Sequence, residues 1–130
     1  MKSTCTTNGV RVHVESAWLP DRSDPGKNHW FFTYRVRIEN HGERTVQLVS
    51  RHWIIENGRG HKEHVRGPGV VGETPVLAPG EAFTYQSFCP LDTPIGTMRG
   101  TYQMVVPGEP DAGFDATIAP FTLACPTALN

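Results

Sequence analysis

The stretch V-R-G-P-G-V-V-G-E-T-P-V-L-A-P-G, residues 65–80, separates two folds. Within it Gly67-Pro68-Gly69-Val70-Val71-Gly72 has the spacing G-x-G-x-x-G, at which a dinucleotide-binding turn brings backbone against pyrophosphate. That turn works only where it leaves a strand and opens a helix, because the free N–H groups and dipole of the helix start hold the anion. Here Pro75, Pro79 and Gly80 follow within a few residues, so a helix cannot start at Gly72 and run. The glycines are therefore expected to be corners, two tight turns around a short irregular strand. A local anion-binding use survives without a helix, since successive N–H groups in a glycine turn can form a nest, with Arg66 at its edge.

On both sides of this stretch apolar residues recur with period two, and no apolar spacing of 3.6 is sustained over a helix length. Val10, Val12 and Val14 alternate with Arg11, His13 and Glu15. Residues 18–29, rich in Pro, Asp, Ser and Gly, form a long polar loop, the one expected to be mobile. Residues 30–40 (WFFTYRVRIEN) are the strongest strand, with Phe32, Tyr34, Val36 and Ile38 to one side. Asn40-His41-Gly42-Glu43 is expected to close it as a hairpin, with residues 45–56 returning. Val46 and Leu48 are out of phase with Val49, Trp53 and Ile55, which predicts a bulge at residues 49–51 that re-aims Arg51 and His52. Residues 61–66 are a short polar edge strand after an Asn57-Gly58 turn; residues 82–88, 97–106 and 114–123 are three more strands. Gly100 inside one of them marks a bulge or a close backbone approach. About seven to eight short strands predict an all-β, immunoglobulin-like or fibronectin type III-like β-sandwich, with a small barrel or jelly roll as alternatives. Trp53 is a candidate for its large core residue.

At 130 residues and 14.4 kDa the chain is one domain, long enough to bury about two thirds of its unfolded surface. Residues 10–123 form it, between flexible tails at 1–9 and 124–130. A net charge of -1 argues against the basic stripe of a nucleic-acid-binding protein. The absence of an apolar leader or span leads to the expectation of a cytoplasmic chain without membrane contact. Cys5, Cys89 and Cys125 are odd in number and lack C-x-x-C spacing, so free thiols are expected. A Cys5–Cys125 bridge is disfavoured because an odd number of strands leaves the termini at opposite poles. Cys89 reads as a small buried residue rather than a nucleophile.

The strings Y-R-V-R-I-E-N (34–40), L-V-S-R-H-W-I-I (48–55), the glycine stretch, C-P-L-D-T-P (89–94) and G-T-M-R-G-T-Y-Q-M (96–104) occur in this order and together closely resemble the bacterial ApaG family. The resemblance spans roughly residues 10–123 and implies a fibronectin type III-like sandwich. The same domain is appended to some eukaryotic F-box proteins and to a polymerase-delta-interacting protein, which implies an interaction module. It also implies an association with cobalt tolerance and magnesium efflux, and a phosphate or nucleotide ligand at the glycine string. The chain departs from the family pattern in its first dozen residues, in Cys125 and the tail, and in His61 and His64.

Three sites are candidates. An anion pocket would combine Arg51, Arg66 and Arg99, whose planar forks suit phosphate, with the N–H groups of Gly67, Gly69 and Gly72. The bland alternative is that these arginines are the wet faces of strands. A metal site would use His61 and His64, although positions three apart on a strand face opposite sides. A protein-binding surface would use a sheet edge with Trp18, Trp30 and Phe31 as anchors, unless these side chains cap the core. No G-x-S-x-G, H-E-x-x-H or Walker string and no paired carboxylate is present, so a catalytic site is not expected. The expectation is a non-enzymatic binding module without a cofactor, recognising a protein partner. A phosphate- or nucleotide-binding protein is the alternative, and a homodimer through edge strands is left open.

Overall fold

The computed structural model describes residues 1–129, and Asn130 of the expected C-terminal tail lies outside them. The described residues form strands from end to end: β1 (Lys2–Thr7), β2 (Val10–Trp18), β3 (Trp30–Asn40), β4 (Val46–Asn57), β5 (Lys62–Pro68), β6 (Val76–Leu77), β7 (Ala82–Leu91), β8 (Ile95–Val106) and β9 (Glu109–Ala124). Three short 3-10 turns, Pro20–Arg22, Pro25–Lys27 and Pro126–Leu129, complete the described elements. Among the described residues no helix is long and apolar enough to cross a membrane.

All pairings between these strands are antiparallel, and they build two sheets. Sheet I has the order β1-β2-β3-β7; sheet II has β5-β4-β8-β9, with β6 paired to β4 beside β5. Without β1, this is the three-on-four arrangement of a fibronectin type III-like sandwich. Alternation turns Val10, Val12, Val14, Phe32, Val36 and Ile38 inward from sheet I to meet Leu48, Met98, Tyr102, Met104, Ile118 and Leu123 of sheet II. Trp53, 2% exposed, stands edge-on to Tyr34, Tyr102 and Phe121 at centroid distances of 5.4, 6.2 and 5.9 Å.

Three expectations are corrected. The expected flexible tail at residues 1–9 holds β1, which pairs with β2 from Lys2↔Glu15 to Thr7↔Val10. With β1 counted, the long strands are even in number, so the termini share a pole: Ser16 N donates to Met1 O, while Ser16 Oγ donates to Thr122 O. The three thiols are nonetheless free. At the other end β9 runs to Ala124 and a 3-10 turn spans Pro126–Leu129. The Asn40-His41-Gly42-Glu43 corner is no hairpin, because β4 crosses to the other sheet and pairs with β5, β6 and β8 instead of β3. Asn40 makes that corner: its buried amide donates to Arg44 O (2.8 Å) and Leu77 O (2.9 Å), and its Oδ1 accepts from Gly42 N.

The predicted bulge is present, as a register shift between Leu48 and Ser50 against β8. The second predicted irregularity is present too. The register of β8 against β9 shifts between Met98 and Gly100, where a Cβ on Gly100 would lie 2.0 Å from the carbonyl oxygen of His52.

The glycine stretch joins β5 to β6, which lie end to end along one edge of β4. Gly69 N donates to Val49 O, and Val70 and Glu73 exchange N–H···O bonds of 2.8 and 2.9 Å across Val71 and Gly72. Both central residues have positive φ, 45° and 80°, the signs of a type I′ turn. No helix follows Gly72.

Two substitutions test this geometry. Gly100→Ala should lower stability by about 2 kcal/mol or more, since the obstructing atom is backbone; a urea midpoint matching wild type would show that β4 and β8 do not approach this closely. Val71→Asn should raise stability by about 1 kcal/mol, because a β-branched residue resists the left-handed region that Asn tolerates. A lower melting temperature for this variant would contradict the turn assignment.

Candidate functional site

The two long sides of the sandwich are finished differently. On one side β1 and β9 close it: Ser3 Oγ donates to Ala119 O (2.8 Å) and Thr117 N donates to Thr7 Oγ1 (3.1 Å). On the other side β7 ends sheet I and β5 ends sheet II. A groove runs between them. Its middle, about 310 Å3, is lined by Tyr34, Arg51, Trp53, Ile55, Glu63, Val65, Ser87, Cys89 and Met98 among others. It continues past Val70, Val71 and Gly72 in a section of about 220 Å3, and past His29, Asn57, His61 and Asp92 in one of about 400 Å3.

Arg51 is the cation of this groove, and the bulge puts it there. Its Nη1 donates to Pro68 O and Gly69 O, both at 2.9 Å, so the guanidinium ties the start of the glycine loop to β4. Around it lie three tyrosines. Burial pushes the pKa values of Tyr34, Tyr85 and Tyr102 up, and the charge of Arg51 opposes this in each case. The Tyr85 and Tyr102 hydroxyls hydrogen-bond to each other in the core. Burial, with the Glu63 charge adding to it, pushes the Cys89 thiol up to about 12. A thiol so protonated is not a nucleophile at neutral pH.

The outer face of sheet I beside β7 carries an aromatic shelf. Phe88 is 47% exposed, stacks on Phe31 at 5.7 Å, and lies under the Arg22 guanidinium at 5.6 Å. His29 extends the stack from Phe31. Of the residues expected to anchor a partner, Phe31 belongs to this shelf. Trp18 and Trp30 are half-buried and pack against the core. The Trp18 indole Nε1 is buried without a hydrogen-bond partner among the described residues.

The expected anion cluster is not assembled. Arg51 faces the groove, whereas alternation puts Arg66 of β5 and Arg99 of β8 on the outer face of sheet II, where Arg99 Nη1 lies 3.5 Å from Glu56. Gly67 lies within β5 and the Gly69 N–H is engaged by Val49, so Gly67, Gly69 and Gly72 do not line up their N–H groups with the three arginines. The two histidines do not converge either. His61 sits at the β4–β5 turn, its N–H donating to Asn57 Oδ1, while His64 meets His52 across the sheet at 2.9 Å. Partial desolvation holds His52 below the usual imidazole range, and the charges of Arg66 and His64 add to the effect. Among the described residues no three His, Cys, Asp or Glu side chains gather around one point. Sequence reasoning passed over Phe88 and Ser87. The signal that marks them is the run AFTYQSFCPL, ten residues of strand without a charge.

A family model described as "ApaG domain" matches residues 20–106. The chain is 54% identical over 128 residues to Protein ApaG of Anaeromyxobacter dehalogenans (strain 2CP-C), covering 98% of this chain and 99% of that protein. It is 51% identical over 121 residues to Protein ApaG of Bordetella pertussis, covering 93% and 91%. Among solved structures, a crystal structure of an ApaA protein from Bordetella pertussis superposes with a TM-score of 0.86 at 50% identity, covering 90% of this chain and 94% of that one. With the sandwich and its topology in place, these matches make the chain a member of the ApaG family.

Proposed function

We propose that this chain is a non-enzymatic module that binds a protein partner along the open side of its sandwich. The observation that carries this reading is the combination, on the side between β7 and β5, of an open groove with the exposed Phe88–Phe31 shelf. Grouped exposed aromatics next to a concavity are what binding surfaces use as anchors. The groove's chemistry suits binding better than catalysis. Its tyrosines and Cys89 are held in their neutral forms, and Arg51 is tied to the Pro68 and Gly69 carbonyls. The phosphate or nucleotide reading has less support, because its three arginines lie on two faces of sheet II and its glycine turn closes on itself through Val70 and Glu73. Any role in cation homeostasis would then be exercised through the partner.

Site-specific photo-cross-linking in the native cell tests this. A cross-linker replacing Phe88 should yield discrete protein adducts, and one replacing Thr117 on the closed side should yield none. Adducts at Thr117 but not at Phe88, or none at either, would remove the proposal.

A further inference from the structure

The free edge of β7 is a row of unpaired backbone groups above the groove. In an antiparallel strand alternate residues point both N–H and C=O to the same side. Asn40 N donates to Glu81 O, so the odd-numbered residues of β7 face β3 and the even-numbered ones face away. Pro90, which has no N–H to give, sits in the outward set, as an edge proline should. The N–H and C=O groups of Thr84, Gln86 and Phe88 therefore point out of the sheet, and among the described residues β7 pairs with β3 alone.

Edges of this kind are ordinarily guarded by charge. The facing edge is guarded: β5 carries Lys62, Glu63, His64 and Arg66. All ten residues of β7 are uncharged. Beneath the vacant position lies the groove, with Trp53 and Val65 on its walls and Arg51 among them. Arg51 is half-buried, and no carboxylate lies within 4.0 Å of it among the described residues. Glu63 lines the same groove but lies beyond ion-pair distance, so the partly desolvated guanidinium, held by two neutral carbonyls, still favours an anionic neighbour.

We infer that the partner enters as an extended segment that pairs with β7 as a fifth strand of sheet I. Every second side chain then points into the groove. One of these is apolar and covers Trp53 and Val65, and another is a carboxylate that meets Arg51. Pairing of β7 with the β7 of a second copy does not supply the acid, since that strand carries no carboxylate. A free anion would use Arg51 but leave the edge empty. The inference rests on the reading of the open side as a binding surface and adds the form and charge of what binds.

The experiment selects binders from a random-peptide display library on the full chain and measures their affinity by fluorescence anisotropy. The expected sequences alternate apolar residues and place Asp or Glu at a fixed offset. Replacing that acid by its amide in the peptide should weaken binding about tenfold. Gln86→Pro removes an outward N–H without touching the backbone ladder to β3, at the cost of the side-chain bond from Gln86 Nε2 to Thr33 Oγ1, and should weaken binding at least tenfold in a variant that keeps its wild-type circular dichroism. N-methylation of alternate peptide residues should do the same from the ligand side if that variant fails to fold. Affinities unchanged by N-methylation, or indifferent to the acid, overturn the inference. So does a wild-type chain that sediments as a dimer and becomes monomeric on Gln86→Pro, which would make a second copy the occupant. Displacement of the peptides by millimolar inorganic phosphate alone, with no sensitivity to N-methylation, also overturns it. Cross-links at Phe88 that survive Gln86→Pro would reject strand pairing while leaving the broader reading standing.

Discussion

Strand β4 has to meet the core in two phases. Val46 and Leu48 face inward near its start, and Trp53 faces inward further on; a two-residue period admits even positions or odd ones. The register shift between Leu48 and Ser50 resolves the conflict by inserting one unpaired residue, Val49. Much follows from that insertion. The Val49 carbonyl is left to accept from Gly69, which lets β5 leave the edge of β4 and β6 rejoin it a few residues on. Arg51, which would otherwise share the wet face with the arginines of neighbouring strands, is turned to the inner side of sheet II, where it faces the groove.

The same sandwich shows two solutions to its exposed edges. Between β1 and β9 side-chain hydroxyls bridge the sheets, and Ser3, Thr7 and Ser16 each bond to backbone of the last strand. On the opposite side, among the described residues, no comparable hydroxyl bridge joins β7 to β5, and a groove opens there. Trp53 stays covered there because aromatic rings surround it from both sheets: Tyr34 on one, Tyr102 and Phe121 on the other. The open side thus coexists with a well-packed centre.

Period-two alternation made the sandwich legible, and a phase conflict within one strand located its bulge. Gly100, isolated in a strand pattern, marked the close approach of β8 to β4. Sheet membership was less legible. The turn chemistry at Asn40 to Glu43 suits a hairpin as well as it suits a crossover, and what decides is the Asn40 amide reaching Leu77, 37 residues away. The first strand was missed because K-S-T-C-T-T lacks the apolar alternation of a half-buried strand; its stability comes from pairing with β2 and from hydroxyl contacts to β9. The candidate site was least legible of all. Arginines 51, 66 and 99 look equivalent along the chain, and only the bulge separates the first from the other two. Histidine 64 finds its neighbour in His52, twelve residues away, rather than in nearby His61.

The glycine string acquires a different meaning in this setting. A dinucleotide turn uses glycine so that backbone can approach a phosphate; here backbone and guanidinium approach each other. A Cβ on Gly67 would lie 3.0 Å from Arg51 Nη2 and 3.1 Å from its Cζ, so a larger residue would crowd the arginine. A Cβ on Gly69 would collide with the Glu73 carbonyl at 2.2 Å and prevent the turn from closing. Closure of that turn fixes the Gly69 carbonyl, and with it one of the two acceptors that hold Nη1. Pro68 supplies the other acceptor, on a residue whose φ is already restricted. Gly67-Pro68-Gly69 thus hold one cation beside the groove whether or not a phosphate is ever bound: Gly69 is the position where backbone leaves no room for a Cβ, and at Gly67 a Cβ would press on the flexible end of Arg51.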